Sequence, residues 1–310
     1  MTRTAICLAA LSMLTAPAAF ADTKTYPAQS FSTIEAAGPI DVVYEPSATP
    51  GIVVEQAEGD FSDVYLDFDG DTLIVSRNSV RDRSGWFNNV SVQVKNDRKV
   101  VKVNGKRVPY YIVRVSGPDL NGVVSKNSAK LTATGLDSET FDARASSSGD
   151  LVLAGAAASA KLHASSSGDI FAEELRAGTL TLHASSSGDI ESASYGTGPI
   201  RIEASSSGDI ELESHGAANF IIDASSSADI ELSGACSGIA VEASSSADVD
   251  ANDLLCGTAN ISASSSADVS VHATDSVTAQ ASSGGDIYVS GNPATRDISR
   301  SSGGDIDFGS

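Results

Sequence analysis

The sequence predicts an all-β protein: a right-handed parallel β-helix, or β-solenoid, of about 19–20 residues per rung, with irregular rungs at its N-terminal end. The first observation behind this is a repeat. "HASSSGDI" stands at 163–170 and again at 183–190, and close variants continue to the end of the chain. Aligned on their aspartate, the units fall at Asp150, Asp169, Asp189, Asp209, Asp229, Asp248, Asp268, Asp286 and Asp305, in steps of 18 to 20 residues. The second observation is alternation. An apolar, mostly β-branched residue stands seven positions before each aspartate and another directly after it, as with Leu182 and Ile190 or Ile202 and Ile210. The positions between them carry His, Glu, Asp, Arg and Ser, and this period of two means strands rather than helices. A unit of about 20 residues cannot bury its apolar edge alone, but coiling it onto the next unit closes a continuous core with rungs roughly 4.8 Å apart. Identical residues then stack, so each position must fit beside its own copy one rung away. The third observation is that Cys236 and Cys256 each lie 12 residues before a repeat aspartate, Asp248 and Asp268. That places them in one column on neighbouring rungs, at a spacing a disulfide can bridge. A Cys236–Cys256 staple is expected; two buried thiols in a small-residue column are the alternative.

Taken in order, residues 1–21 read as a secretory signal peptide, with Arg3, an apolar run and the small-x-small pattern Ala19-Phe20-Ala21. Cys7 lies inside that segment, so the mature chain keeps an even pair of cysteines, which suits an exported protein. No later stretch is long and apolar enough for a transmembrane segment. The location implied is the periplasm, the cell surface or the medium.

Residues 22–144 read as an irregular β-rich part, with "PIDVVYE", "GIVVEQ", "DTLIVSR", "NVSVQV" and "YYIVRVS" as strands. In "VVKVNGKRV", Asn104-Gly105 suits the positive backbone angles of a type I′ turn, which predicts a projecting basic hairpin at about 91–115. A separate small β-sandwich is the second reading of this part. Residues 145–310 are the regular solenoid repeats, ending on a rung with no evident amphipathic cap.

Charge divides along the same lines: net −10 over residues 22–76, +9 over 77–130 and −20 over 131–310. So acidic a C-terminal surface excludes nucleic acid as its partner, because phosphate binding needs Lys and Arg.

The chain resembles a known bacterial family, the head GIN domain of auto-transporter adhesins. The resemblance rests on "FSTIEAAGPIDVVYE" at 31–45, "DGDTLIVS" at 69–76, "VRVSGPDLNGV" at 113–123 and the repeated "SSGDI" units. It implies an exported β-helical protein with an adhesion role, and it brings no catalytic residues. This chain departs from the family in its longer, more uniform array, in Ala in place of Gly at 228, 247 and 267, and in the basic insert.

For chemistry, the sharpest candidate is the aspartate ladder. Carboxylates stacked about 5 Å apart repel by roughly 1 kcal/mol even in water, so something must offset the repulsion. Hydrogen bonds from Ser hydroxyls and backbone N–H groups are the favoured answer, with no cofactor. Ca²⁺ on Asp169, Asp189, Asp209, Asp229, Asp248 and Asp268 is the rival. Ser at four and two positions before each Asp is expected to face the same way as the Asp, unless a corner falls inside the Ser run. His163 and His183 share a column and read as a surface pair, with a shared metal as the weaker reading. Trp86, beside Arg81 and Arg83, with Lys102, Lys106 and Arg107 in the hairpin, forms the candidate ligand or partner surface.

No nucleophile elbow, zinc motif or P-loop is present, and no enzyme activity is expected. The reading is a non-enzymatic adhesion or binding module of the cell envelope. A structural envelope scaffold is the alternative, and a carbohydrate-active β-helix enzyme the more distant one. Partners implied are a cell-surface glycan, another envelope component or protein, or a second copy through the open solenoid end.

Overall fold

The computed structural model describes residues 22–56, 59–81, 90–95 and 98–309. Apart from one helical turn at Asn78–Arg81, the regular structure among the described residues is all strand. Full rungs run Asp150–Ser165, Asp169–Ser185, Asp209–Ser225, Asp229–Ser244, Asp248–Ser264 and Asp268–Ser282. The rung at 189–205 is broken into Asp189–Ser194 and Ile200–Ser205. Rungs pair in parallel with like against like: Asp169 opposes Asp150, His183 opposes His163, and Asp229 opposes Asp209. This is the β-solenoid the repeat predicts.

The core is a set of buried columns. In the rung at 169–185 the buried apolar residues are Ile170, Ala172, Leu175, Ala177, Leu180, Leu182 and Ala184. The step lengthens from two to three at Ala172 to Leu175 and again at Ala177 to Leu180. Each such phase shift turns the strand, giving the coil bends that supplement the Ser-rich corner. One column is uniformly small: Ala145, Ala164, Ala184, Ala204, Ala224, Ala243, Ala263 and Ala281 are all buried.

The Ser run is a corner, which corrects the expectation of a flat Ser/Ser/Asp face. Strand ends at Ser165, Ser166 and Ser167 take φ of 52° and 59°, and the Gly168 N–H donates to the Ser165 carbonyl at 3.1 Å. Two positive φ angles inside a four-residue hydrogen-bonded turn define type I′. Left-handed backbone costs a non-glycine residue about 1 kcal/mol. Here the cost recurs on every rung and is offset by pairing between corners: the Ser167 N–H donates to the Ser186 carbonyl at 3.2 Å, and Ser227 to Ser245 at 3.2 Å. The glycine ahead of Asp169 is needed for close approach, since a Cβ on Gly168 would lie 2.5 Å from the Ser146 nitrogen. Ala228, Ala247 and Ala267 fill the same column fully buried, so those rungs do accommodate the methyl.

The N-terminal part starts the same coil with different chemistry. Thr33–Ala37 pairs in parallel with Gly122–Lys126, and Asp41–Pro46 with both Tyr111–Gly117 and the start of Lys130–Ser146. Asn127 and Ser128 take φ of 55° and 66°, an early copy of the Ser corner. Antiparallel strands close this end: Asp22–Tyr26 on Gly51–Gln56, and Val64–Asp69 on Thr72–Arg77. A fully buried Arg77 ties them together, donating to Asp63 at 2.7 and 2.9 Å and to the Pro39 carbonyl at 3.2 Å, over the Tyr111 ring.

The basic segment is a three-stranded antiparallel sheet, Val90–Lys95, Arg98–Val103 and Lys106–Val108, rather than a projecting hairpin. Asn104-Gly105 makes its tight turn, with φ of 53° and 76°. Its inner face, with Val101 and Val103 buried and Lys99 bonded to Asp41 at 2.5 Å, lies against the first rungs. Tyr111 onward belongs to a rung, so the expected hairpin boundary at 115 was too late.

The C-terminal end carries two arginines. In the last rung Arg300 occupies the alanine column opposite Ala281, donates to the Ile306 carbonyl and lies 3.9 Å from Asp305. Arg296 covers Phe308 at 4.0 Å. Charged side chains at a sheet edge discourage further strand addition.

Candidate functional site: the outward ladders

Outward positions on the two sides of the Ser corner form two shallow troughs along the rod. On one side Asp189, Asp209, Asp229, Asp248 and Asp268 run beside a second acidic column two residues on, Glu191, Glu211, Glu231 and Asp250. They line a trough of about 630 Å³. The apolar residue between the columns points inward, which is why both acids emerge on one face.

Crowding leaves a clear electrostatic mark. Asp169 and Asp209 have pKa values raised above the ordinary carboxylate range, first by burial and then by neighbouring aspartates. Asp248 is raised for the same reasons. Burial, with Glu173 and Glu211, does likewise to Glu191. The backbone N–H groups of Asp189 and Asp229 on the next rung act the other way and offset part of the rise at Asp169 and Asp209. Among the described residues no group of three or more His, Cys, Asp or Glu side chains is arranged to hold a metal ion.

On the other side of the corner, the half-buried Ser205, Ser225, Ser244 and Ser264 floor a trough of about 400 Å³ edged by His183, Glu203, Asp223 and Glu242. His163 and His183 stack with ring centroids 4.5 Å apart, and His183 Nδ1 lies 3.3 Å from Glu203. Burial, then His183, lowers the His163 pKa. Tyr195 is sandwiched between Arg176 and His215 at 5.1 and 4.6 Å, so neither of its ring faces is open.

The structure brings the six candidate aspartates together as one column and joins Cys236 to Cys256, with Cα atoms 4.5 Å apart across adjacent rungs. Of the basic candidates, Arg81, Lys102, Lys106 and Arg107 fall among the described residues. Trp86 and Arg83 lie outside the described residues, and Arg81 closes the single helical turn. Lys102 and Arg107 oppose each other across two strands on the outer face of the inserted sheet, while Lys106, at the turn, opposes Val103 of the inner face.

Sequence reasoning missed the head of the aspartate column. Lys130 opposes Asp150 and Asp41 opposes Lys130, so the column begins Asp41, Lys130, Asp150. The signal was there: "SKNSAKL" at 125–131 aligns with "ASSSGDI", with Lys in place of Asp. Asp41 also accepts from Tyr110 at 2.5 Å.

This architecture defines a parallel β-solenoid with repetitive outward ladders. The chain belongs to the family described as "putative auto-transporter adhesin, head GIN domain", whose profile matches residues 30–197 and 192–293. No curated protein matches it. It is similar to a solved structure from Parabacteroides distasonis described as a "putative lipid binding protein", at 20% identity and TM-score 0.47 over 93% of this chain and 96% of that one. A "putative adhesin" from Parabacteroides merdae is similar at 18% identity and TM-score 0.44, with the same coverage.

Proposed function

We propose that the chain is an exported, non-enzymatic adhesion module of the bacterial envelope that holds an extended glycan along its outward ladders. The observation that carries this is repetition: equivalent Asp and Glu side chains recur rung after rung on one rigid face. A polymer with its own short repeat can meet many such positions at once, and linked weak contacts multiply into avidity. The surplus of carboxylates favours a neutral or amine-bearing polysaccharide over an anionic one. Catalysis by a carboxylate pair needs two acids whose environments push their pKa values apart. Along this ladder Asp169, Asp209 and Asp248 move the same way for the same causes, which supports a binding role.

The test is cosedimentation of the mature protein with chitosan, chitin and purified peptidoglycan sacculi, beside the triple variant Asp209→Asn, Asp229→Asn, Asp248→Asn. Salt-sensitive binding that falls at least tenfold in the variant is the expected result. Equal binding by both proteins, or release of new reducing ends, contradicts the proposal. The hydrogen-bonded reading of the ladder also expects no calorimetric heat with Ca²⁺ and no change of Tm with EDTA.

A further inference from the structure

A third cavity, of about 250 Å³, lies between the inserted sheet and the head of the aspartate column. Its two walls differ in kind. Val92 and Val101, cross-strand neighbours in the insert, face it together with Pro39 and make one side apolar. The other side carries Lys130 and Asp150, directly opposed on adjacent rungs, with Ser128 and Ser148 beside them.

The charges in this cavity are not equally satisfied. Asp41, at its base, accepts from Lys99 and Tyr110, both at 2.5 Å. Lys130 and Asp150 are within each other's field but, among the described residues, neither side chain makes a hydrogen bond or an ion pair. Burial raises the Asp150 pKa even though Lys130 and Lys99 pull it down, so the carboxylate is held partly desolvated without a direct partner. Half-buried polar groups left in this way carry a desolvation cost that a ligand with matching groups would relieve.

We propose that this cavity binds a small zwitterion of the α-amino-acid class with an apolar side chain: its carboxylate on Lys130, its ammonium on Asp150, its side chain against Val92 and Val101. An anion alone leaves Asp150 facing it, and a cation alone leaves Lys130. The volume, roughly that of eight liquid waters, suits a mid-sized amino acid and is below the range of larger ligands. The site is separate from the outward troughs, and the proposal does not rest on their role in adhesion.

Isothermal titration of the mature protein with L-leucine tests it, beside leucinamide, which lacks the carboxylate, 4-methylpentanoate, which lacks the ammonium, and D-glucose. One site per chain is expected for leucine, with at least tenfold weaker binding of each of the other three. Lys130→Met and Asp150→Asn should each weaken leucine at least tenfold while circular dichroism and Tm stay unchanged. Lys130→Arg should restore binding in place of the Met variant. No heat at millimolar leucine, equal or tighter binding of 4-methylpentanoate or glucose, or undiminished binding in Lys130→Met overturns the proposal. Polysaccharide cosedimentation is read in Lys130→Met, whose side chain is not one of the repeated carboxylates, and the proposal expects it to be unaffected, so the two readings fail separately.

Discussion

The regular rod and the N-terminal clasp are ends of one coil built on opposite plans. From Asp150 onward each rung repeats its neighbour, and stability is spread over columns of small apolar residues and backbone ladders. Before that point, antiparallel strands and single large side chains hold the chain: Tyr44 donates to the Pro118 carbonyl at 2.5 Å, and buried Arg77 binds Asp63. Repetition makes a rod whose units are each replaceable. Individual contacts make an end whose units are not.

The sharpest way to break this contrast is Arg77→Ala. Removing one partner of a buried ion pair leaves Asp63 uncompensated and should cost about 3–5 kcal/mol. Chemical denaturation checks the size of the loss, and hydrogen exchange should place it in the strands up to residue 117. A smaller loss spread along the rod would mean the two ends are not distinct. Next in size is the staple. The Cys236→Ser, Cys256→Ser variant should lose about 3 kcal/mol, the amount expected for a loop of this length. Limited proteolysis should find the new sensitivity in the rungs at 229–264 and leave the clasp intact.

A smaller effect separates rungs within the rod. Gly208→Ala places a Cβ 2.5 Å from the Ala184 carbonyl carbon and should cost about 1–3 kcal/mol. Ala247→Gly, in the same column, only loses a methyl and should cost about 1 kcal/mol. Thermal unfolding of both variants tests whether the alanine rungs are locally adapted. Smallest is the response to pH. Asp169, Asp209 and Asp248 have raised pKa values in the folded state, so folding favours their protonated forms and stability falls as pH rises through the carboxylate range. The lowered pKa of His163 acts the other way below about pH 6.5. In a His163→Gln background, Tm should therefore rise as pH falls from about 7 into the carboxylate range, and Asp209→Asn should shrink the rise.

How much of this was legible in the sequence follows the same division. In the rod, Ile170, Ile190 and Ile210 are interchangeable, so alignment alone gave rungs, columns and the Cys236–Cys256 pairing. The corner was less legible because Ser is an uncommon choice for left-handed backbone; only pairing between stacked corners makes it acceptable. In the clasp, the partner of Arg77 lies 14 residues away and that of Lys99 lies 58 away, with no repeat to announce either. Lys130 in the aspartate column was hidden by its opposite charge, although its neighbours fit the repeat.

The central claim is that the outward ladders bind as a repeated set. Deleting residues 209–228 removes one rung and joins Gly208 to Asp229, restoring the sequence "SSSGDIELSG" without disturbing the column order. The measurement is the affinity of this shortened protein for the polysaccharide that wild type binds. The account predicts a folded rod with unchanged strand content and affinity several-fold lower, because one set of contacts is gone from an avid array. A folded, shortened rod that binds as tightly as the full one would contradict it and place recognition at a single site elsewhere on the molecule.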